Sequence, residues 1–404
     1  MNKITNKILT ILTVLLLVGC DNDVESDNKS ITLNGPTDNA TIEIMTSVEK
    51  RYVDAMYQQA QGIDEDLKYK VNDLNGDNVK IKDYVTSYTE GKGIKVDLGF
   101  NHKGFGKDKT YIYHIASKSD FSDELKILSK STAYAVHSLK SNTKYYWKVT
   151  DIDNNITSET KTFTTTLGWR GINAGLTNNI RDIGGHIVKG NKIIKQGLIY
   201  RGCELNLEAY NDGSSDHNKT IDDNTIYTFK NIMKIGTEID FRGAAESGSL
   251  TSSNMGWSVN YDRQSIAGYG SLVQDKTGSE DKKVKKIFEH FLDAKEDKSI
   301  YFHCWGGADR TGTIAFLLGG LLGMSYTDLI IDYELTSFSY NLREHDVLGT
   351  YSNFPSLIEG LKAVTNHTEN NPDIQEMCKT YLMNKVGISE ENITKIQDLM
   401  LEDL

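Results

Sequence analysis

Residues 303–313 read His303-Cys304-Trp305-Gly306-Gly307-Ala308-Asp309-Arg310-Thr311-Gly312-Thr313, which sets a thiol and a guanidinium on either side of five residues, two of them glycine. Gly306 and Gly307 can take positive φ, so the loop can curl until its backbone N–H groups face one tetrahedral anion. A thiol is a weak nucleophile until ionised; inward amides and the positive end of a following helix favour the thiolate, pulling the Cys304 pKa down from about 8.5. Arg310 offers a planar fork that grips two oxygens of a phosphoryl group. Thr311 can hydrogen-bond the sulfur and support it as leaving group when a cysteinyl-phosphate is hydrolysed. His303 is placed to order the loop rather than to act as a base. Trp305, Gly306, Gly307, Ala308, Asp309 and Arg310 would then cradle the phosphate. This is phosphomonoester hydrolysis by a covalent route, and it calls for no cofactor and no metal.

Such a loop works when a strand delivers the cysteine and a helix begins near the arginine. Ser299–His303 is a short β-prone run, and 311–324 (TGTIAFLLGGLLGM) is an apolar stretch long enough for a buried helix. Strand, loop and helix are expected in that order, within an α/β domain whose central sheet is flanked by helices.

The pattern His-Cys-x-x-Gly-x-Asp-Arg-Thr-Gly resembles the loop of bacterial tyrosine phosphatases, whose members include secreted, broad-specificity enzymes acting on phosphotyrosine, other phosphoesters and phosphoinositides. Asn179-Ile180-Arg181-Asp182-Ile183-Gly184-Gly185, Gly197-Leu198-Ile199-Tyr200-Arg201-Gly202, the strand-like Ile235–Arg242 and the tail Val386–Glu391 resemble further segments of that family. The resemblance spans residues 170–404. It implies the cysteine-phosphatase type of α/β fold and, at matching positions, Asp309 or Asp240 as the general acid. Either carboxylate can instead be structural, Asp309 holding the loop and Asp240 pairing with Arg242 or Arg181. Asp262, in a segment read as a loop, is a third candidate. Arg181, Asp182 and Arg201 are expected to brace the site. Broad-specificity members carry a lysine where this chain has Ala308, which weighs against phosphoinositides. Trp305 either packs at the rim or stacks on a phosphotyrosine ring. The expected substrate is a phosphotyrosyl protein; the alternatives are inositol phosphates or other small phosphoesters, or a catalytically silent phosphate-binding or adhesive surface module.

At 404 residues, 38% of them hydrophobic, the chain is long enough for a second domain. Its 56 acidic against 45 basic side chains argue against a nucleic-acid partner. Lys3 and Lys7 precede the apolar run Ile8–Val18, too short to span a bilayer, and Leu17-Val18-Gly19-Cys20 closes it. Residues 1–19 thus read as an export signal and resemble a bacterial lipoprotein leader, which implies a lipid-bearing Cys20. The acidic, unpatterned stretch 20–30 reads as a tether. The expected address is the bacterial cell envelope, lipid-anchored in a membrane, periplasmic or surface-exposed.

Residues 31–166 carry alternating runs, in Ile94–Phe100, Tyr111–Ile115 and Lys144–Thr150, that predict an all-β sandwich with a helical or irregular insertion from Ser47 to Gly91. Leu139–Val149 followed by Ser158–Thr165 resembles the last strands of fibronectin type III modules. Cys203 and Cys378 complete a cysteine set too small for a disulfide framework. Cys203 is either an inert buried thiol or a reversible partner of Cys304. The nine histidines show no spacing suited to zinc.

Overall fold

A computed structural model of the chain describes residues 29–61, 68–70, 79–85, 92–104, 108–175, 177–205, 221–247, 250–256, 258–339 and 353–404. The expected export signal, Cys20 and most of the tether lie outside the described residues.

The alternating runs form strands: β1 (Ser30–Gly35), β2 (Ala40–Ile42), β3 (Lys95–Lys103), β4 (Tyr111–Ala116), β5 (Leu125–Ser129), β6 (Ala133–His137), β7 (Lys144–Asp151), β8 (Ile156–Thr157) and β9 (Lys161–Thr165). One sheet has the order β1-β3-β6 and the other β2-β9-β7-β4-β5, with β8 beside β7. Because side chains alternate along a strand, Val96, Leu98 and Phe100 of the first sheet meet Tyr113, Ile115, Trp147, Val149 and Phe163 of the second in one core. The result is a β-sandwich.

Between β2 and β3 the chain leaves the sandwich. Helix α1 (Ser47–Ala60) starts with a capping box, in which the Thr46 hydroxyl accepts from the Glu49 N–H and the Glu49 carboxylate accepts from the Thr46 N–H. Its buried face, Tyr52, Val53 and Met56, belongs to the core of the other domain.

That domain is built on β10 (Arg181–Asp182), β13 (Ile199–Gly202), β14 (Ile235–Asp240), β15 (Asn260–Arg263) and β16 (Ser299–His303), in the order β10-β13-β16-β14-β15. The last four are mutually parallel, and β10 runs antiparallel at the edge. A small sheet of β11 (Ile187–Val188), β12 (Lys192–Ile194) and β17 (Leu401–Asp403) ties in the C-terminus. Among the described residues the α-helices are α2 (Asp223–Tyr227), α3 (Ala244–Ser247), α4 (Tyr269–Val273), α5 (Ser279–Phe291), α6 (Asp309–Leu321), α7 (Tyr326–Glu334), α8 (Phe354–Thr365), α9 (Ile374–Thr380) and α10 (Glu390–Met400). Helix α6 is the central one. It is apolar on every side, and it is buried from Thr311 to Leu321 because α4, α7, α9, β13 and β16 all pack on it.

Register decides where chemistry can occur. Gly202 and Asp240 both pair with His303, and Asp240 pairs with Arg263, so four strands end in one row. The crevice beyond the carboxyl ends of parallel strands is where such sheets bind ligands. The sandwich docks on this domain through its 138–141 turn: Arg170 donates to the Ser138 carbonyl at 2.7 and 3.1 Å, and Ser141 and Gln196 exchange hydrogen bonds of 2.7 and 2.9 Å.

Candidate active site

β16 ends at His303 and α6 begins at Asp309, so Cys304 to Ala308 is the whole connection. Gly307 has a φ of +70°, and a Cβ there would stand 2.5 Å from the carbonyl of Gly202 and 2.8 Å from the Cys203 nitrogen. Glycine is therefore required twice over, by backbone conformation and by close approach to the neighbouring strand end.

Four consecutive carbonyls of this loop are drawn outward. The Cys304 oxygen lies 3.1 Å from His303 Nδ1, the Trp305 oxygen accepts from the Glu204 N–H at 3.0 Å, Gly306 from Asn179 Nδ2 at 3.0 Å, and Gly307 from Arg201 at 2.6 Å. In a trans peptide the N–H points opposite to the C=O. The amides of Trp305, Gly306, Gly307 and Ala308 consequently turn to the inner side of the curl, at the N-terminus of α6, where an anion is favoured by both the donors and the helix dipole. Cys304 is buried at the mouth of that curl, and the Thr311 hydroxyl in the first turn of α6 is buried without a hydrogen-bond partner among the described residues.

The sequence model of the tyrosine phosphatase family matches residues 172–402. The chain belongs to the tyrosine phosphatase family. It is a cysteine-dependent phosphoester hydrolase. Similar solved structures include the core catalytic domain of the PP-IP phosphatase SIW14 from S. cerevisiae in complex with citrate, 12% identical over 46% of this chain and 93% of that one with a TM-score of 0.25. P. aeruginosa TpbA is 11% identical over 52% of this chain and 90% of its own, with a TM-score of 0.20. Scores this low carry no argument. No curated protein matches the chain.

The phosphatase loop is braced from beneath by ion pairs. Arg181 and Arg201 converge on Asp332 of α7, Arg181 through Nε at 3.1 Å and Arg201 through a short contact, and Arg201 reaches on to the Gly307 carbonyl. Asp182, expected beside them, instead receives Arg170 and the Gly184 and Gly197 N–H groups, and so braces the seam with the sandwich. His303 sits under the nucleophile with Nε2 2.9 Å from Glu238 and Nδ1 4.0 Å from Asp240. Burial would lower its pKa, but Asp240 and Glu238 outweigh that and raise it. The imidazolium thus favoured can donate to the Cys304 carbonyl and adds positive charge beneath the thiol.

Asp240 and Asp262 are each held by cationic side chains. Asp240 is fully buried; Arg242 holds both its oxygens and Tyr261 donates to it at 2.9 Å. Burial would raise its pKa, yet His303 and Arg242 together hold it at about 2. A carboxylate so stabilised keeps no proton to give near neutral pH, so its geometry is that of an ion-pair partner. Asp262 lies within β15, not in a loop, and is bound by Lys286 at 2.8 Å, His290 at 2.7 Å and Gln264. Burial would raise its pKa, and His290, Lys286 and Gln264 lower it instead. Asp309 opens α6 next to Arg310 and accepts from the Tyr269 hydroxyl at 2.7 Å.

Arg310 meets Glu246 of α3 in a two-pronged contact, 2.6 Å at each prong. The Arg310 hydrogen bonds are the chief reason the Glu246 pKa is lowered. This carboxylate fits the guanidinium fork as two phosphoryl oxygens would. Glu246, Asn179, Glu238, Asp332 and Tyr269 were not singled out as site residues from sequence; for Glu246 the available signal was its place four residues beyond Arg242. Trp305 is 36% exposed at the rim and Ala308 is buried. Cys203, Cys304 and Cys378 are free thiols. Cys203 is buried, accepts from the Asn178 N–H, and burial pushes its pKa up to about 12, the environment of an unreactive thiol. Among the described residues no group of histidine, cysteine and carboxylate side chains could hold a metal ion.

Proposed function

We propose that the chain is a protein-tyrosine phosphatase in which Cys304 attacks the phosphorus, Arg310 leaves Glu246 to grip two phosphoryl oxygens, Asp309 protonates the departing phenolic oxygen, and Thr311 supports the sulfur when water cleaves the cysteinyl-phosphate. The observation that carries this reading is the outward pull on the four carbonyls from Cys304 to Gly307, which turns the four following amides toward the inner side of the loop. Preference for an aryl ester is supported by the half-exposed indole of Trp305, a face on which a phenyl ring can lie, and by Ala308, which supplies no cation for a second phosphate.

The test is a substrate panel. With phosphotyrosyl peptides and inositol hexakisphosphate compared on the same enzyme, kcat/KM is expected to favour the peptides. Trp305→Ala should lower the peptide value by about 3- to 10-fold, the worth of one ring stack, without changing turnover of a small alkyl phosphate. Preference for the inositol ester, or indifference to Trp305→Ala, would replace this substrate by a small phosphoester.

The same reading places the enzyme on the envelope, lipid-anchored through Cys20, with the sandwich as a fibronectin type III-like spacer. The facing sheets β1-β3-β6 and β2-β9-β7-β4-β5 support the fibronectin type III-like reading. Cells fed an alkyne-tagged fatty acid are expected to label the wild-type chain and not Cys20→Ala; equal labelling of both would remove the anchor from the proposal.

A further inference from the structure

Tyr269 carries a bulky side chain on a left-handed backbone, with a φ of +56°. Residues of this kind are held there only when their surroundings over-determine the position, and they concentrate at functional sites. Three contacts do the holding. The Tyr269 N–H donates to Thr313 Oγ1 at 2.8 Å, and that hydroxyl donates in turn to the Asp309 carbonyl at 2.8 Å. The phenolic hydroxyl donates to Asp309 Oδ1 at 2.7 Å and lies 3.0 Å from the hydroxyl of Tyr333. Since the one phenolic proton of Tyr269 goes to the carboxylate, Tyr333 must donate to Tyr269. The relay therefore has a direction, from α7 through α4 to the first residue of α6. Tyr269 is itself 6% exposed, and burial, Tyr333 and Asp309 push its pKa far above the ordinary value, so it stays a donor.

We propose that Tyr269 is a positioning residue for the proton donor: by donating to Oδ1 of Asp309 it holds that carboxyl at the first residue of α6, beside the phosphate loop, to serve the leaving-group oxygen of an ester bound over Cys304. The inference rests on the reading of Asp309 as general acid. In the step concerned, the Cys304 sulfur bonds to phosphorus with its electron pair, the P–O ester bond breaks, and the proton on the Asp309 carboxyl passes to the departing oxygen. The carboxylate left behind is stabilised by the Tyr269 hydroxyl. In the second step the same carboxylate takes a proton from the water that attacks phosphorus, and the S–P bond breaks.

A residue that only packs would affect all substrates alike, whereas one that places the acid matters in proportion to the leaving group's need for a proton. The measurement is kcat/KM of the full chain on phenyl phosphate and p-nitrophenyl phosphate, a parameter that covers steps through departure of the leaving group. Tyr269→Phe is expected to lower the phenyl value by about 10- to 100-fold and the p-nitrophenyl value by less than about 3-fold. Asp309→Asn should show the same selectivity more steeply. Tyr333→Phe, which removes the group donating to Tyr269 and leaves Tyr269 in place, should show it more weakly. Equal losses on both esters for the tyrosine variants, or wild-type values for them beside a steep Asp309→Asn, would overturn the role of Tyr269 alone. Asp309→Asn losing equally on both esters would overturn the acid reading beneath it.

Discussion

Cys304→Ser is expected to lower kcat by about 10⁴-fold or more while leaving the affinity for a phosphotyrosyl peptide nearly unchanged. The asymmetry follows from what the loop does. Its inward amides, the α6 N-terminus and the His303 imidazolium all favour negative charge, and a serine hydroxyl, a far weaker acid and nucleophile than a thiol, cannot exploit them. The donors that hold the phosphoryl oxygens are backbone groups and Arg310, and the substitution touches none of them. A companion change separates the two functions: Arg310→Lys keeps the charge but loses the fork, so it should raise KM and lower kcat together. Single-turnover kinetics with peptide-binding measurements on both variants provide the check. A Cys304→Ser enzyme retaining a rate within about tenfold of wild type would require another nucleophile, and Cys203, with its raised pKa and buried sulfur, is poorly suited to be one.

The parts of the site that local sequence could reveal are those built from adjacent residues. Ser299–His303 is a strand with the bounds read from its β-prone run, and the apolar stretch after Arg310 is α6, because strand, loop and helix are each specified within a few residues. The alternating runs Tyr111–Ile115 and Lys144–Thr150 lie within β4 and β7 for the same reason. What joins the site from a distance left no such trace. Glu246 comes to Arg310 because β14 and β16 are neighbours in the sheet, and Asp332 comes to Arg201 because α7 runs back alongside α6; both facts belong to topology. Asp240 illustrates the converse. The family resemblance implies a proton donor at this position, but the Arg242 two residues on turns back and pairs with it as an anion. The left-handed φ of Tyr269 was not legible either, since the preceding Gly268 is the residue that sequence rules would have bent.

Tyr52→Ala, a substitution more than two hundred residues from the nucleophile, is expected to destabilise the phosphatase domain by about 3–5 kcal/mol. Tyr52 lies between β2 and β3 of the sandwich in sequence, yet its ring is wholly buried against Tyr84 and Phe338, at 5.6 and 6.1 Å between centroids, and its hydroxyl donates to Glu334 at the end of α7. Phe338 closes the 3-10 turn Leu335–Phe338 that follows α7, and two residues before the end of α7 stands Asp332, the carboxylate on which Arg181 and Arg201 converge. Removing the ring thus opens a cavity under the element that anchors the arginine holding the Gly307 carbonyl. Tyr52→Phe keeps the packing and loses one hydrogen bond to a buried carboxylate, for a smaller cost of about 1–3 kcal/mol. Chemical unfolding of the full chain, followed by a probe in each domain, distinguishes the outcomes. The transition of the phosphatase domain should move to lower denaturant in both variants, more in Tyr52→Ala, with that of the sandwich unmoved. If only the sandwich transition shifted, α1 would belong energetically to the domain in which its sequence lies. If the expectation holds, a chain begun at residue 170 lacks part of its own core, since Tyr52, Val53 and Met56 each bury a side chain worth about 1.5–3 kcal/mol against a total stability of about 5–15 kcal/mol. The N-terminal region then does more than hold the enzyme away from a membrane: it supplies a helix without which the catalytic loop has no firm floor.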